Sequence, residues 1–174
     1  NDIIRQKVLV KFYKPFLKKF LEKADKIIVH NINYANSSTY LQSYLHKVIS
    51  VPPGIDIQRF KITPYINNKM LEITQLYGNK IVLFIGRLVY YKGLEYLIES
   101  MKSVSGVLVI IGDGPLKNKL LNLSKRLSIQ EKIHLLGNVD EQKKVAFLRA
   151  STTLCLPSTV RSEAFGIVQL EGMI

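Results

Sequence analysis

Residues 81–115, IVLFIGRLVYYKGLEYLIESMKSVSGVLVIIGDGP, carry the alternation that decides the fold. Two runs, 81–86 and 107–111, are short, apolar and free of charge, as strands buried on both faces must be. Between them Leu94, Leu97, Ile98 and Met101 recur at helical spacing. A strand, a helix and a second strand predict a crossover unit with parallel strands. The pattern continues toward the end of the chain. Strand candidates at 132–136 (KIHLL) and 152–156 (TTLCL) alternate with a helical pattern through Leu116, Leu120, Leu123 and Leu127, and another over 140–149 with Asp140 as cap. The expected fold class is α/β, a Rossmann-like, doubly wound parallel sheet flanked by helices.

Toward the start, residues 1–23 read as an amphipathic helix. Ile4, Val8, Phe12, Phe16 and Phe20 repeat along it, Lys7, Lys11, Lys14, Lys18 and Lys19 lie mostly elsewhere, and Pro15 is expected to disturb it. A short strand at 27–29, a helix over Ser37–Leu45 with Ser37 as cap, and a strand at 48–51 stopped by Pro52-Pro53-Gly54 follow. Residues 61–79 join the two regions by an irregular stretch and a short helix, and a last helix opens at Phe165 and runs to Ile174. That helix has no glycine cap, proline or following strand, so the sheet is expected to continue past it.

Composition narrows the function. The chain has 174 residues and a formal charge of +12, which suits an anionic partner without saying which. A single cysteine, Cys155, excludes an intramolecular disulfide framework and a cysteine-rich zinc cluster, and points to a reducing, cytoplasmic setting. No apolar run reaches the roughly 18–20 residues that span a bilayer. His30, His46 and His134 lack metal-ligand spacing, so no metal is expected. A basic, nucleic-acid-binding α/β domain without catalysis is the alternative reading. Against it, the basic residues are spread along the chain and match no zinc-finger, RNA-recognition or helix-turn-helix pattern.

Ligands of open parallel sheets bind outside the carboxyl ends of the strands, so the loops there hold the candidate residues. Gly86-Arg87 through Lys92-Gly93 place two cations just before a helix, where an anion would meet Arg87, Lys92 and unpaired amides. Taken alone, they read equally well as solvated loop charges. Gly112-Asp113-Gly114-Pro115 starts like a dinucleotide fingerprint but has Lys117 at the third glycine position. Gly137-Asn138-Val139-Asp140 opens a capped helix at the same edge. In the segment from Ser158 to Glu171, Glu163 stands ahead of a helix start at Gly166, and Glu171 follows a rise of about 12 Å later. Two carboxylates bracketing an anion seat fit a ligand with hydroxyls at both ends and a diphosphate between them, the outline of a nucleotide sugar; by themselves they read at least as well as a favourable acid at a helix start followed by a solvated glutamate.

The segments ADKIIVHN, VPPGIDIQRF, FIGRLVYYKGLEYLIES, VIIGDGP, LLGNV and LPSTVRSEAFGIVQLEGM together resemble glycosyltransferase family 4, of the two-domain GT-B architecture, over about residues 24–174. The last segment carries the family's paired glutamates as Glu163 and Glu171. The resemblance implies that residues 1–52 end an acceptor-side domain and linker, and that 53–174 form a nucleotide-sugar-binding, carboxyl-terminal domain incomplete at its end. It implies a retaining glycosyltransferase, a hexosyltransferase with a lean toward mannose, which moves a sugar from a nucleoside diphosphate sugar to an acceptor hydroxyl on a glycan, a lipid-linked acceptor or a small molecule. Arg87 and Lys92 would neutralise the leaving diphosphate, Glu163 would contact the donor sugar and Glu171 the ribose. Gly86 would line the donor site, the amides of Phe165, Gly166 and Ile167 would meet phosphates, and Asn138-Val139 would seat the base. No metal or cofactor is implied, nor a nucleic-acid partner, and peripheral membrane contact through the basic first helix is compatible with it. Gly172 and Pro53 depart mildly from the family pattern. Because acceptor contacts in the family come mainly from the rest of the acceptor-side domain, the chain is expected to bind donor but not to transfer sugar.

Overall fold

The computed structural model describes residues 7–160, 163 and 166–174, and of residues 7–11 the backbone alone. Residues 1–6 at the start of the expected first helix, with Ile4, lie outside them. The chain divides into two compact units, Asn1–Gly54 and Ile55–Ile174.

The first unit holds α1 (Lys7–Lys23), β1 (Ile27–Val29), α2 (Ile32–Ser37) and β2 (Val48–Ser50). β1 and β2 pair in parallel, Ile27 opposite Val48 and Val29 opposite Ser50. Leu21, Val29, Ala35 and Leu41 form its buried cluster, with Leu17 packed against it. Pro15 sits inside α1 without ending it. The aromatic row of α1 faces away from this core: Phe12, Phe16 and Phe20 are each more than 70% exposed, at 74%, 73% and 71%. The helix expected over Ser37–Leu45 is displaced. Asn31 caps an earlier helix, its side chain accepting the Asn33 N–H at 2.8 Å, while Ser37 ends it with its hydroxyl turned back to the Tyr34 carbonyl. Residues 42–47 then form only a 3-10 turn. Lys47 Nζ donates to the carbonyls of Glu22 at 2.8 Å and Ala24 at 2.9 Å, so a cation closes the carboxyl end of α1.

The second unit follows the predicted α/β alternation. It contains α3 (Pro64–Tyr77), β3 (Ile81–Ile85), α4 (Leu94–Ser100), β4 (Val107–Ile111), α5 (Lys117–Arg126), β5 (Ile133–Gly137), α6 (Glu141–Ala150), β6 (Thr153–Leu154) and α7 (Ile167–Gly172). β3 to β6 form one sheet in the order β5-β4-β3-β6, every pair parallel. The alternation of side chains explains the two cores. Phe84, Leu108 and Ile110 pack on one face with Leu94 and Ile98 of α4 and Leu120 of α5. Ile81, Leu83, Val109 and Ile111 pack on the other with Ile66 and Ile73 of α3 and Val145 and Phe147 of α6. Burying a strand on both sides removes a side chain of this size from water at every position, each worth about 1.5–3 kcal/mol.

Boundaries moved where local chemistry decided them. α3 is longer than the short helix expected: Thr63 accepts the Ile66 N–H at 3.2 Å, Pro64 opens the first turn and Gly78 ends it. β6 shrinks to two residues, although Thr152 N–H to Ile81 O at 2.9 Å and Cys155 N–H to Leu83 O at 2.8 Å extend its ladder on either side. Burial pushes the Cys155 thiol above its ordinary range, in keeping with a small apolar residue packed against the core.

Candidate functional site

The carboxyl ends of β3, β4 and β5 open on one cavity of about 420 Å³ whose lining includes Gly86, Arg87, Asp113, Asn138, Val139 and Lys144. Backbone hydrogen bonds draw the loops together there. Gly86 N–H donates to Ile111 O at 2.9 Å, Leu88 N–H to Asp113 O at 2.9 Å, and Gly112 N–H to Gly137 O at 2.7 Å. The approach is so close that a Cβ on Gly112 would stand 2.1 Å from Gly86 O, with φ at +131° besides, so only glycine fits. Asp113 Oδ1 accepts the Gly114 N–H at 2.7 Å, which tightens the turn after β4.

Lys92 ends a 3-10 turn, Tyr90–Lys92, just before α4. Its ammonium pairs with Glu163, and Ser158 Oγ donates to the same carboxylate oxygen at 3.1 Å. Both side chains are largely buried, 12% and 20% exposed, so the pair is screened less than a surface pair would be. The stem of Lys92 returns toward the cavity wall: its Cε lies 3.7 Å from where a Gly86 Cβ would stand. Thr159 N–H to Tyr91 O at 2.9 Å ties the loop bearing Glu163 to the same turn. Gly93 permits that contact, because at φ +67° a Cβ there would stand 2.1 Å from Pro157 O.

Glu171 is held by Lys144, whose ammonium donates to Oε1 at 2.9 Å. Lys144 also lies 2.9 Å from Glu141 Oε1, itself 3.1 Å from Arg59, so charges alternate along Arg59, Glu141, Lys144 and Glu171. The Lys144 ammonium stands 5.8 Å from the centre of the buried Phe60 ring.

Gly86, Arg87, Asn138 and Val139 thus meet at one cavity, with Glu171 joined to it through Lys144. Lys92 and Glu163 form a second cluster whose lysine stem runs beside Gly86. Gly166 is buried and left-handed at the start of α7, and Ile167 is that helix's first residue, 47% exposed. Phe165 lies outside the described residues. Sequence reading missed Lys144 and Ser158. Lys144 stands four residues past the cap Asp140, but its partner Glu171 is 27 residues on, and no local spacing links the two. Among the described residues no group of three or more His, Cys, Asp or Glu is placed to hold a metal ion, and no helix is long and apolar enough to cross a membrane.

The family model for glycosyl transferases group 1 matches residues 68–174. The chain belongs to this family. Among the relatives of the chain, the D-rhamnosyltransferase WbpZ of Pseudomonas aeruginosa is 38% identical over 99% of this chain and 44% of its own length. The O-antigen chain mannosyltransferase C of Escherichia coli is 30% identical over 99% of this chain and 45% of its own. The chain therefore spans less than half the length of these relatives. Among solved structures, Anabaena HepE in complex with UDP-glucose superposes with a TM-score of 0.74 at 20% identity, over 86% of this chain and 42% of that one. Sucrose-phosphate synthase from Thermosynechococcus elongatus gives 0.74 at 22% identity, over 90% and 40%. These likenesses establish the α/β, Rossmann-like fold of the chain.

Proposed function

We propose that the chain is the donor-binding, carboxyl-terminal part of a retaining family 4 glycosyltransferase, with residues 1–52 ending the acceptor-side domain. The observation that carries this reading is the convergence of Arg87, Lys92 and the Asn138-Val139 loop on one edge of a parallel sheet, with Glu163 and Glu171 each paired to a lysine there. The ligand that suits it has a base against Asn138-Val139, a ribose near Glu171, a diphosphate between Arg87 and Lys92, and a sugar toward Glu163. Amides of Gly166 and Ile167 complete the phosphate seat. No metal is assigned to the reaction, because the two cations offer the charge that a diphosphate needs.

In the reaction the acceptor hydroxyl oxygen forms a bond to the anomeric carbon as the bond from that carbon to the diphosphate oxygen breaks. The electron pair leaves with the diphosphate, and the hydroxyl proton passes to the departing phosphate on the same face. Arg87 and Lys92 stabilise the charge that develops there, a preorganised electrostatic task. Lys92 is held by Glu163 before the donor arrives, so the cation is fixed in place rather than recruited. Glu163 then serves the donor sugar and not as a covalent nucleophile, in contrast to carboxylate-pair glycosidases.

The relatives name D-rhamnosyl and mannosyl transfer, and D-rhamnose is 6-deoxymannose, so the donor sugar we assign has the manno configuration. Acceptors are glycans, lipid-linked acceptors or small molecules on the cytoplasmic side, with α1 available for membrane contact. The test is calorimetric titration with GDP, UDP and ADP, with GDP-mannose, and with inorganic phosphate. Saturable binding of one diphosphate and its sugar, well above that of phosphate, supports the reading. Equal affinity for all five overturns it.

A further inference from the structure

Lys144 touches three things that bear on the cavity without belonging to any motif. It lines the cavity beside Asn138 and Val139, it hydrogen-bonds Glu171 Oε1 at 2.9 Å, and its ammonium stands above the ring of Phe60. Its side chain is 15% exposed and that of Glu171 16%. Its two carboxylate contacts are not alike. The approach to Glu171 is an aligned hydrogen bond, whereas Glu141 Oε1, at the same distance, lacks hydrogen-bond alignment and balances charge between Lys144 and Arg59.

We propose that Lys144 is a positioning residue that holds Glu171 for the ribose of a nucleotide donor. A largely buried carboxylate with no cation beside it turns toward water, which takes it away from a diol. Ribose hydroxyls are neutral and cannot supply the missing charge. Lys144 supplies it from the side, through Oε1, and a carboxylate has a second oxygen to offer. The Arg59–Glu141 contact keeps the ammonium from drifting along α6, since Glu141 is itself neutralised from the other side. Phe60 beneath the ammonium limits the space into which it can swing. The ribose site is thereby built from three segments, the turn at Ile57–Phe60, α6 and α7.

The proposal rests on the assignment of Glu171 to the ribose, and the experiment separates the two. Lys144→Met, Glu171→Gln, the double variant and Lys144→Arg are titrated by calorimetry with GDP, guanosine, UDP, uridine and inorganic pyrophosphate. Lys144→Met and Glu171→Gln are each expected to weaken the bound nucleoside and its diphosphate by a similar factor of about ten, with pyrophosphate unchanged. The double variant is expected to bind no more weakly than Glu171→Gln alone, because Lys144 acts through that carboxylate. Lys144→Arg is expected to stay within about threefold of the unaltered chain, since it keeps the charge. Additive losses in the double variant, or a Lys144→Met loss confined to the diphosphates, would show Lys144 meeting the ligand itself and overturn the proposal while leaving Glu171 at the ribose. No loss of nucleoside in Glu171→Gln overturns the ribose assignment and the proposal together. If Lys144→Met does not fold, Lys144→Arg decides: affinity near that of Glu171→Gln counts against positioning by charge.

Discussion

Lys92 and Glu163, 71 positions apart in the chain, meet as an ion pair in which both side chains are largely buried. The turn before α4 and the loop before α7 are thereby fastened at the same sheet edge as Arg87. A cation already fixed by its carboxylate is prepared for a diphosphate without further ordering, which lowers the entropic cost of binding.

Arg87→Ala and Lys92→Ala are therefore expected to weaken a nucleoside diphosphate much more than its nucleoside. Charge-assisted hydrogen bonds of this kind contribute about 1.5–3 kcal/mol, or very roughly ten- to a hundredfold in affinity. Isothermal titration of GDP against guanosine reads the difference. Equal losses on both ligands would remove these residues from the phosphate.

Salt offers an independent check. Raising it from about 0.05 to 0.5 M shortens the screening length and should erode the part of GDP affinity that guanosine lacks, while guanosine itself changes little. A guanosine affinity that falls in parallel with that of GDP would point away from a phosphate-specific cationic site.

Gly93→Ala tests the fastening of the two loops. A Cβ there would stand 2.1 Å from Pro157 O, in a left-handed conformation that alanine resists. Urea unfolding is expected to show a loss of about 2 kcal/mol or more, and diphosphate affinity should fall with it as the loop bearing Glu163 shifts. A substitution neutral in both assays would mean that the loop moves freely away from the turn.

His134, on β5 against the ring of Tyr77 at 4.9 Å, has its pKa lowered by burial, with Glu131 opposing in part. The folded chain thus resists a proton that the unfolded chain accepts. Well above the ordinary histidine value of about 6.5 both states are neutral and the group contributes nothing to the pH dependence. As pH falls through that value the unfolded state gains the proton first and stability declines. Thermal melts between about pH 8 and 5.5 should show a decline that His134→Gln flattens. An unchanged slope in the variant would place the acid sensitivity elsewhere.

The glycine turns and the charge-free strands are local patterns legible from composition and spacing alone, whereas the paired glutamates stood out through the resemblance to glycosyltransferase family 4. Strands such as 81–85 declare burial on both faces because every position is apolar, which requires helices on both sides and hence an α/β sheet. Arg87, Lys92 and Glu163 stand between a strand end and the next helix, whereas Glu171, near the end of α7, drew attention by its spacing from Glu163 and took its role from the family resemblance. The misplaced helix at 37–45 shows the limit: Asn31 and Ser37 are both good caps by composition, and only the hydrogen bonds chosen by the folded chain rank them.

The sequence by itself determined the fold class and pointed to the loops at the carboxyl ends of the strands, because periodicity and turn chemistry act over a few neighbouring positions; the roles of the residues there came from the resemblance to glycosyltransferase family 4. Only the tertiary structure decided which charge neutralises which. Lys92 could have met solvent and Lys144 could have paired solely with Glu141 three residues back, yet the sheet carries Glu163 to the first and Glu171 to the second across 71 and 27 positions. Partnerships of that kind depend on distances that close only when the sheet has assembled, and no spacing along the chain encodes them.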